Sequence, residues 1–250
     1  MKIEDFTLNQ VNEEIPWRLF TPEQSTKEFS VLWLQGWSSS MDSHREAVER
    51  MAKQSNTVFA TLDYAGHGLH KLPLEKSTRK QQHEGVVAIF DELKKRNFDN
   101  IIVIGGSFGG YMTALLTAKR PVHTAVLRAP ANYPDDEFEL PYAQIFRTKD
   151  YAAYIKTKDS DVMLFSSSAT RAIQSYDGFV YILEHELDEL VPSKVPKRYM
   201  EVAKHGNYLI IPKTKHSPKL MNNPVPHFVY IEYMVMTILN AVKIQETLRD

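Results

Sequence analysis

The stretch Ile101–Leu115, IIVIGGSFGGYMTAL, gathers Gly105, Gly106, Gly109 and Gly110 around Ser107, four of the chain's 10 glycines within six positions. A bare turn needs one or two glycines, so this crowding asks for more than a change of direction. The residues before it, NIIVIG (Asn100–Gly105), are apolar, as in a strand covered on both faces. Phe108 to Lys119 reads as a helix. The pattern G-x-S-x-G, Gly105-Gly106-Ser107-Phe108-Gly109, therefore falls on a strand-to-helix turn. There a serine can project a nucleophilic hydroxyl from a strained backbone while the glycines leave room for close approach. The plainer alternative is a glycine-rich turn without chemistry, and the strand-to-helix setting argues against it. A dinucleotide or P-loop reading is weaker, because no G-x-G-x-x-G stands at this strand end and no Gly-Lys-Ser/Thr follows.

Working outward, short apolar runs alternate with helical patterns: SVLWL (Ser30–Leu34), TVFATL (Thr57–Leu62), HTAVLR (His123–Arg128), GFVYILE (Gly178–Glu184) and YLIIP (Tyr208–Pro212). Helices are expected over Thr78–Arg96, Phe108–Lys119 and Pro192–His205, the last capped by Gly206. Repeated βα order predicts an α/β fold with a mostly parallel sheet flanked by helices. Ile3–Leu8 and Pro16–Phe20 resemble an edge hairpin. Between Ala129 and Asp177 no strand is evident, and roughly fifty residues is too long for an ordinary connection. The chain thus reads as one domain, 1–250, with an inserted cap over 131–176.

Composition narrows the function. The 250 residues carry a net charge of −1 with no long Lys/Arg run, which removes the electrostatic basis for nucleic-acid binding. There is no cysteine, so disulfides, thiolate metal sites and a Cys nucleophile drop out. The N-terminus, MKIEDFTLNQVNEE, is acidic where a leader would be apolar, which gives a cytoplasmic expectation. FVYIEYMVMTILNAV is interrupted by Glu232 and Asn240 and reads as an amphipathic helix, not a membrane span.

A serine hydroxyl needs a base, and the base an orienting carboxylate. In an open α/β sheet both come from loops at the carboxyl ends of strands. His216 meets that condition in KTKHSP after YLIIP, whereas His205 precedes the same strand. His227 is a second choice; His44, His83 and His123 fit packing or surface roles. For the acid, HELDELVP after GFVYILE offers Asp188, with Glu186 and Glu189 left open. Asp63 fits a structural part in the turn DYAGHG, and Asp161 and Asp177 lie in or beside the insertion. Backbone donors to an oxyanion are expected from Phe108 and from Trp37, which follows Gly36 at the end of SVLWL. The serines at 38–40 and 166–168 read as cap or turn residues.

Together LQGW, LDYAGHG, GGSFGG, LDELVP and KTKH resemble the α/β-hydrolase superfamily across nearly the whole chain. Gln35 departs from the pattern, standing where many relatives carry His before Gly. GGSFGGYMT is similar to the serine loop of prolyl-oligopeptidase-type peptidases, and the placement of the cap is similar to small cinnamoyl and feruloyl esterases. The resemblance implies a serine hydrolase acting on carboxylic esters through Ser107, Asp188 and His216. A small peptidase or thioesterase on the same fold is the alternative, as is a catalytically silent binding protein.

The cap aromatics Tyr133, Phe138, Tyr142, Phe146, Tyr151 and Tyr154 favour an apolar or aromatic substrate group, with Tyr142 and Phe146 the named contacts; equally, they could pack the cap onto the body. No cofactor and no metal are expected, since no H-E-x-x-H or similar ligand spacing occurs. The expected partner is a small-molecule ester, with no nucleic acid, no membrane span, and a homodimer left open.

Overall fold

The computed structural model describes residues 1–10, 13–148, 167–216 and 227–247. Among these, eight strands form one sheet: β1 (Lys2–Gln10), β2 (Glu13–Thr21), β3 (Phe29–Leu34), β4 (Val58–Leu62), β5 (Asn100–Gly106), β6 (Thr124–Arg128), β7 (Phe179–His185) and β8 (Gly206–Ile211). Their spatial order is β1-β2-β4-β3-β5-β6-β7-β8. β1 and β2 form the antiparallel edge hairpin, β2 runs antiparallel to β4, and every pair from β4 to β8 is parallel.

The helices are α1 (Arg45–Ser55), α2 (Arg79–Lys95), α3 (Phe108–Thr117), α4 (Tyr142–Thr148), α5 (Ser168–Ser175), α6 (Lys194–Val202) and α7 (His227–Thr247). Strand periodicity sorts the core into two layers. Leu32, Leu34, Val103 and Leu127 pack with Val86, Met112, Ile173 and Tyr199 from α2, α3, α5 and α6. Val31, Trp33, Ile102 and Ile104 face the other way, toward Met51 of α1 and Ile231, Val235 and Ile238 of α7. The C-terminal apolar segment is thus a helix laid on the sheet, its Glu232 paired with Arg50 at 2.6 Å. No helix among the described residues is long and apolar enough to cross a membrane.

Local chemistry sets several ends. Thr78 and Gln81 form a reciprocal capping box that starts α2, and Ser167 caps α5 through the Thr170 amide. The helix expected over 192–205 is shorter, ending at Val202 with extended Ala203 after it. Gly206 does not cap it. It opens β8 opposite Val180, where an added Cβ would lie 2.5 Å from the Val180 carbonyl oxygen.

Of the stretch 131–176, residues 149–166, with Tyr151, Tyr154, Asp161 and Ser166, lie outside the described residues. Its described part is fastened to the body. The Arg79–Glu137 ion pair is buried at 2.7 Å, Tyr142 donates to Gln82 Oε1 at 2.9 Å, and α5 contributes Ala169 and Ile173 to the core beside α3.

Two glycines make opposite predictions. A Cβ on Gly109 would lie 2.1 Å from the Leu34 carbonyl oxygen, a backbone atom that cannot yield, whereas one on Gly85, inside α2, meets nothing nearer than 3.7 Å. In urea unfolding, Gly109→Ala is expected to cost about 3 kcal/mol or to prevent folding. Gly85→Ala should gain about 0.5–1 kcal/mol from helix propensity and reduced unfolded-chain entropy.

Candidate active site

The parallel register brings strand ends to one edge. Leu34 lies opposite Gly105, Gly106 opposite Arg128, Arg128 opposite Leu183, and His185 opposite Ile211. The loops that leave these ends carry Trp37, Ser107, Asp188 and His216.

Ser107 joins β5 to α3 with φ +52° and ψ −113°, a region that costs a non-glycine residue of order 1–3 kcal/mol. The surroundings hold it there. The Ser107 amide donates to the Arg128 carbonyl at 2.8 Å, and the Ser107 carbonyl accepts from the Ala131 amide at 3.0 Å. Gly105 must be glycine because a Cβ would meet the Gly109 carbonyl at 2.1 Å. That contact, with Gly109 on Leu34, explains the glycine symmetry about the serine.

From the hydroxyl a line of hydrogen bonds runs inward. Ser107 Oγ lies 2.9 Å from His216 Nε2, and His216 Nδ1 lies 2.7 Å from Asp188 Oδ2. Asp188 Oδ1 accepts from the Leu190 and Val191 amides at 2.9 and 2.8 Å. Burial works against the Asp188 carboxylate, but the bonds to His216 and the two amides outweigh it and hold its pKa below the ordinary value. An ionised carboxylate only accepts, so Nδ1 carries the imidazole proton and Nε2 of the neutral ring presents its lone pair to the serine hydroxyl.

The competing acids go elsewhere. Glu186 accepts from the Lys213 amide at 2.5 Å and Glu189 from the His216 amide at 3.2 Å, so both hold the backbone of the histidine loop and not its ring. Asp63 spends both oxygens on the Met41 and Leu69 amides at 2.7 and 2.8 Å, the structural part expected of it. His44 precedes α1, His83 is buried in α2 and His123 precedes β6. The side chain of His227 lies outside the described residues.

The loop after β3 runs beside the serine: a Cβ on Gly36 would lie 3.6 Å from that of Ser107. Gln35, in place of the familiar histidine, donates to the Leu62 carbonyl and accepts from Thr61 Oγ1 at 3.0 Å, while its own carbonyl accepts from Tyr64 at 3.0 Å. The Trp37 ring packs on Phe108, His67 and Tyr142 with centroids 5.4, 4.9 and 4.5 Å away. Among the described residues, neither the Trp37 nor the Phe108 amide donates to a protein acceptor. Tyr142 is buried against Trp37, whereas Phe146 is 51% exposed and stacked on Tyr142. Sequence reading missed Arg128 and His185, buried at the ends of β6 and β7. Each closes a strand at this edge, but nothing in the sequence pairs the two. Among the described residues no cluster of three metal-ligating side chains occurs.

Solved structures of similar shape cover almost the whole chain. Est1E from Butyrivibrio proteoclasticus with ferulic acid bound superposes with a TM-score of 0.72 at 17% identity, covering 94% of this chain and 98% of that one. The chain has the α/β-hydrolase fold. An esterase from Pyrobaculum calidifontis gives 0.70 at 16% identity over 97% and 85% of the two chains. An alpha-beta serine hydrolase homologue from Coxiella burnetii gives 0.66 at 13% over 94% and 97%. No family model matches the sequence, and no curated protein matches it.

The depressed pKa of Asp188 has a stability consequence. A carboxyl ionised more readily in the folded chain than in the unfolded one stabilises the fold above its unfolded value of about 3.9 and loses that contribution as pH falls through the lower folded value. The difference in urea stability between wild type and Asp188→Asn should therefore be widest above pH 5 and should shrink below pH 4. A difference that stays constant from pH 7 to pH 3 would contradict the assignment of an ionised, hydrogen-bonded Asp188.

Proposed function

We propose that this chain is a serine hydrolase that cleaves carboxylic esters through an acyl-enzyme. The observation that carries the reading is the continuous run from Ser107 Oγ through His216 to Asp188, at 2.9 and 2.7 Å, on a turn held at φ +52°. Ser107 Oγ attacks the acyl carbon as its proton passes to His216 Nε2, and the carbonyl oxygen gains the negative charge. The Trp37 and Phe108 amides are the donors assigned to that oxygen. Collapse of the adduct expels the alcohol, which takes the proton from Nε2. Water then attacks the acyl-serine by the same route, releasing the carboxylic acid and restoring Ser107. Asp188 stays ionised throughout, fixing the tautomer and balancing the imidazolium. The scheme calls for no cofactor and no metal.

Substrate choice is assigned to the segment 131–176, through Phe146 at the surface and Tyr142 behind Trp37. The ferulic acid bound to Est1E makes hydroxycinnamoyl esters the first aromatic substrates to try, beside acetyl esters. Phe146→Ala should change the ratio of kcat/KM between bulky and short esters; equal factors for both would remove Phe146 from the pocket.

A fluorophosphonate probe should label Ser107, with mass spectrometry locating the adduct. A panel of p-nitrophenyl esters, acyl thioesters and aminoacyl amides, run on wild type and Ser107→Ala, separates esterase from thioesterase and peptidase. Ser107→Ala and His216→Ala should each lower kcat by about 10³-fold or more, and Asp188→Asn by about 10²–10⁴-fold. Glu186→Gln and Glu189→Gln should stay within about tenfold of wild type. Activity should survive exhaustive chelation. An adduct on another serine, or full activity in Ser107→Ala, would overturn the reading.

A further inference from the structure

We infer that Arg128 and His185 form a buried brace that positions the three reactive loops relative to one another, so that both are positioning residues for the reaction proposed above, on which this inference rests. The brace is a chain of contacts across the carboxyl edge of the sheet. His185 Nδ1 lies 2.8 Å from the Lys215 carbonyl oxygen, which can only accept, so Nδ1 carries the proton. Nε2 of the neutral ring therefore presents a lone pair, and Arg128 Nη1 faces it at 3.4 Å. Neutrality is enforced: burial first, then the neighbouring Arg128 charge, push the His185 pKa down to about 3.

Each link touches one arm of the site next to its reactive residue. Arg128 holds the serine arm, since its carbonyl accepts the Ser107 amide at 2.8 Å and its guanidinium fills the space where Gly106 has no Cβ. His185 holds the acid arm, its carbonyl accepting the Asp188 amide at 3.2 Å. Lys215 precedes His216 in the base arm. The serine–imidazole distance thus depends on β6, β7 and the loop after β8 keeping their spacing, and this chain of side chains spans all three. The Arg128 guanidinium is not neutralised: burial lowers its pKa only to about 10, and the negative charge of Asp188 works in the opposite direction. Among the described residues neither side chain hydrogen-bonds Ser107 Oγ or the His216 ring, so both act through Ser107 and His216.

The test compares His185→Leu, which removes both ring hydrogen-bonding functions, with His185→Gln, whose amide can donate to the Lys215 carbonyl and accept from Arg128. Arg128→Met and the double variant Arg128→Met/His185→Leu complete a cycle. Wild type is first labelled at Ser107 with the fluorophosphonate; no label there fails the catalytic reading itself, separately from the brace. Displacement of about an ångström can cost 10²-fold. The brace predicts that folded His185→Leu loses about 10²-fold in kcat with KM within about threefold, and loses fluorophosphonate reactivity in the same proportion. His185→Gln should recover to within about tenfold of wild type. The double variant should be no slower than the worse single one. Full kcat in His185→Leu, a loss confined to KM, equal losses in the Leu and Gln variants, or multiplicative losses in the cycle would each overturn it. Should His185→Leu fail to fold, Arg128→Lys beside His185→Gln carries the same comparison: the shorter cation loses kcat and labelling rate together under the brace, and retains both without it.

Discussion

Contact between two stretches of backbone governs this molecule. Gly109, the second residue of α3, leaves no room for a Cβ against the Leu34 carbonyl at the end of β3, and Gly105 leaves none against the Gly109 carbonyl. A methyl group at either position would drive helix and sheet apart. With both absent, α3 descends directly into the core, where Phe108, Tyr111 and Met112 are buried. The turn between β5 and α3 then has one residue in which to reverse, and Ser107 takes the positive φ that results. Burial of a large apolar side chain contributes about 1.5–3 kcal/mol, so the first turn of α3 alone can offset strain of about 1–3 kcal/mol at the serine. The projection of the half-buried serine from this turn is a consequence of tight packing behind it.

The sheet was legible because strands buried on both faces are mostly apolar, as are most of the short runs from Ser30 to Pro212, although β8 at the sheet edge leaves Ile210 exposed. The serine turn was legible because its requirement is steric and local. Other features depend on distant atoms. Gly206 looks like a helix cap in sequence, and only the nearness of Val180 shows that it serves a strand. Asp188, Glu186 and Glu189 are three acids within four positions, indistinguishable by spacing. Folding separates them: the Asp188 side chain turns back on the Leu190 and Val191 amides and leaves Oδ2 for the imidazole, while both glutamates take backbone donors. Arg128 and His185 were invisible for the same reason, being 57 residues apart and meaningful only as a pair.

Asp63 and Asp188 show how similar positions acquire different chemistry. Each follows a strand at the same edge and each is largely buried. Asp63 has one amide for each oxygen, and burial is the largest influence on its pKa, which is raised. Asp188 concentrates its amides on one oxygen and gives the other to a ring nitrogen, and its pKa is lowered. The number of donors and their distribution, not residue type or depth, separate a turn-forming aspartate from one able to orient a base.

The same accounting bears on why a guanidinium sits beneath the elbow. Burying a cation beside a neutral imidazole does little for stability, and an apolar side chain of similar volume would often serve the core as well or better. A methionine there would nevertheless remove the Arg128 donor from His185 Nε2. The Lys215 carbonyl would still be tied to β7, but the Arg128–His185 link from β7 to the strand end that holds Ser107 would be lost. Stability and geometry thus make different demands at one position. The arginine satisfies the second, because a rigid planar fork with several donors can reach across from Gly106 to His185 where a flexible apolar chain cannot set a distance.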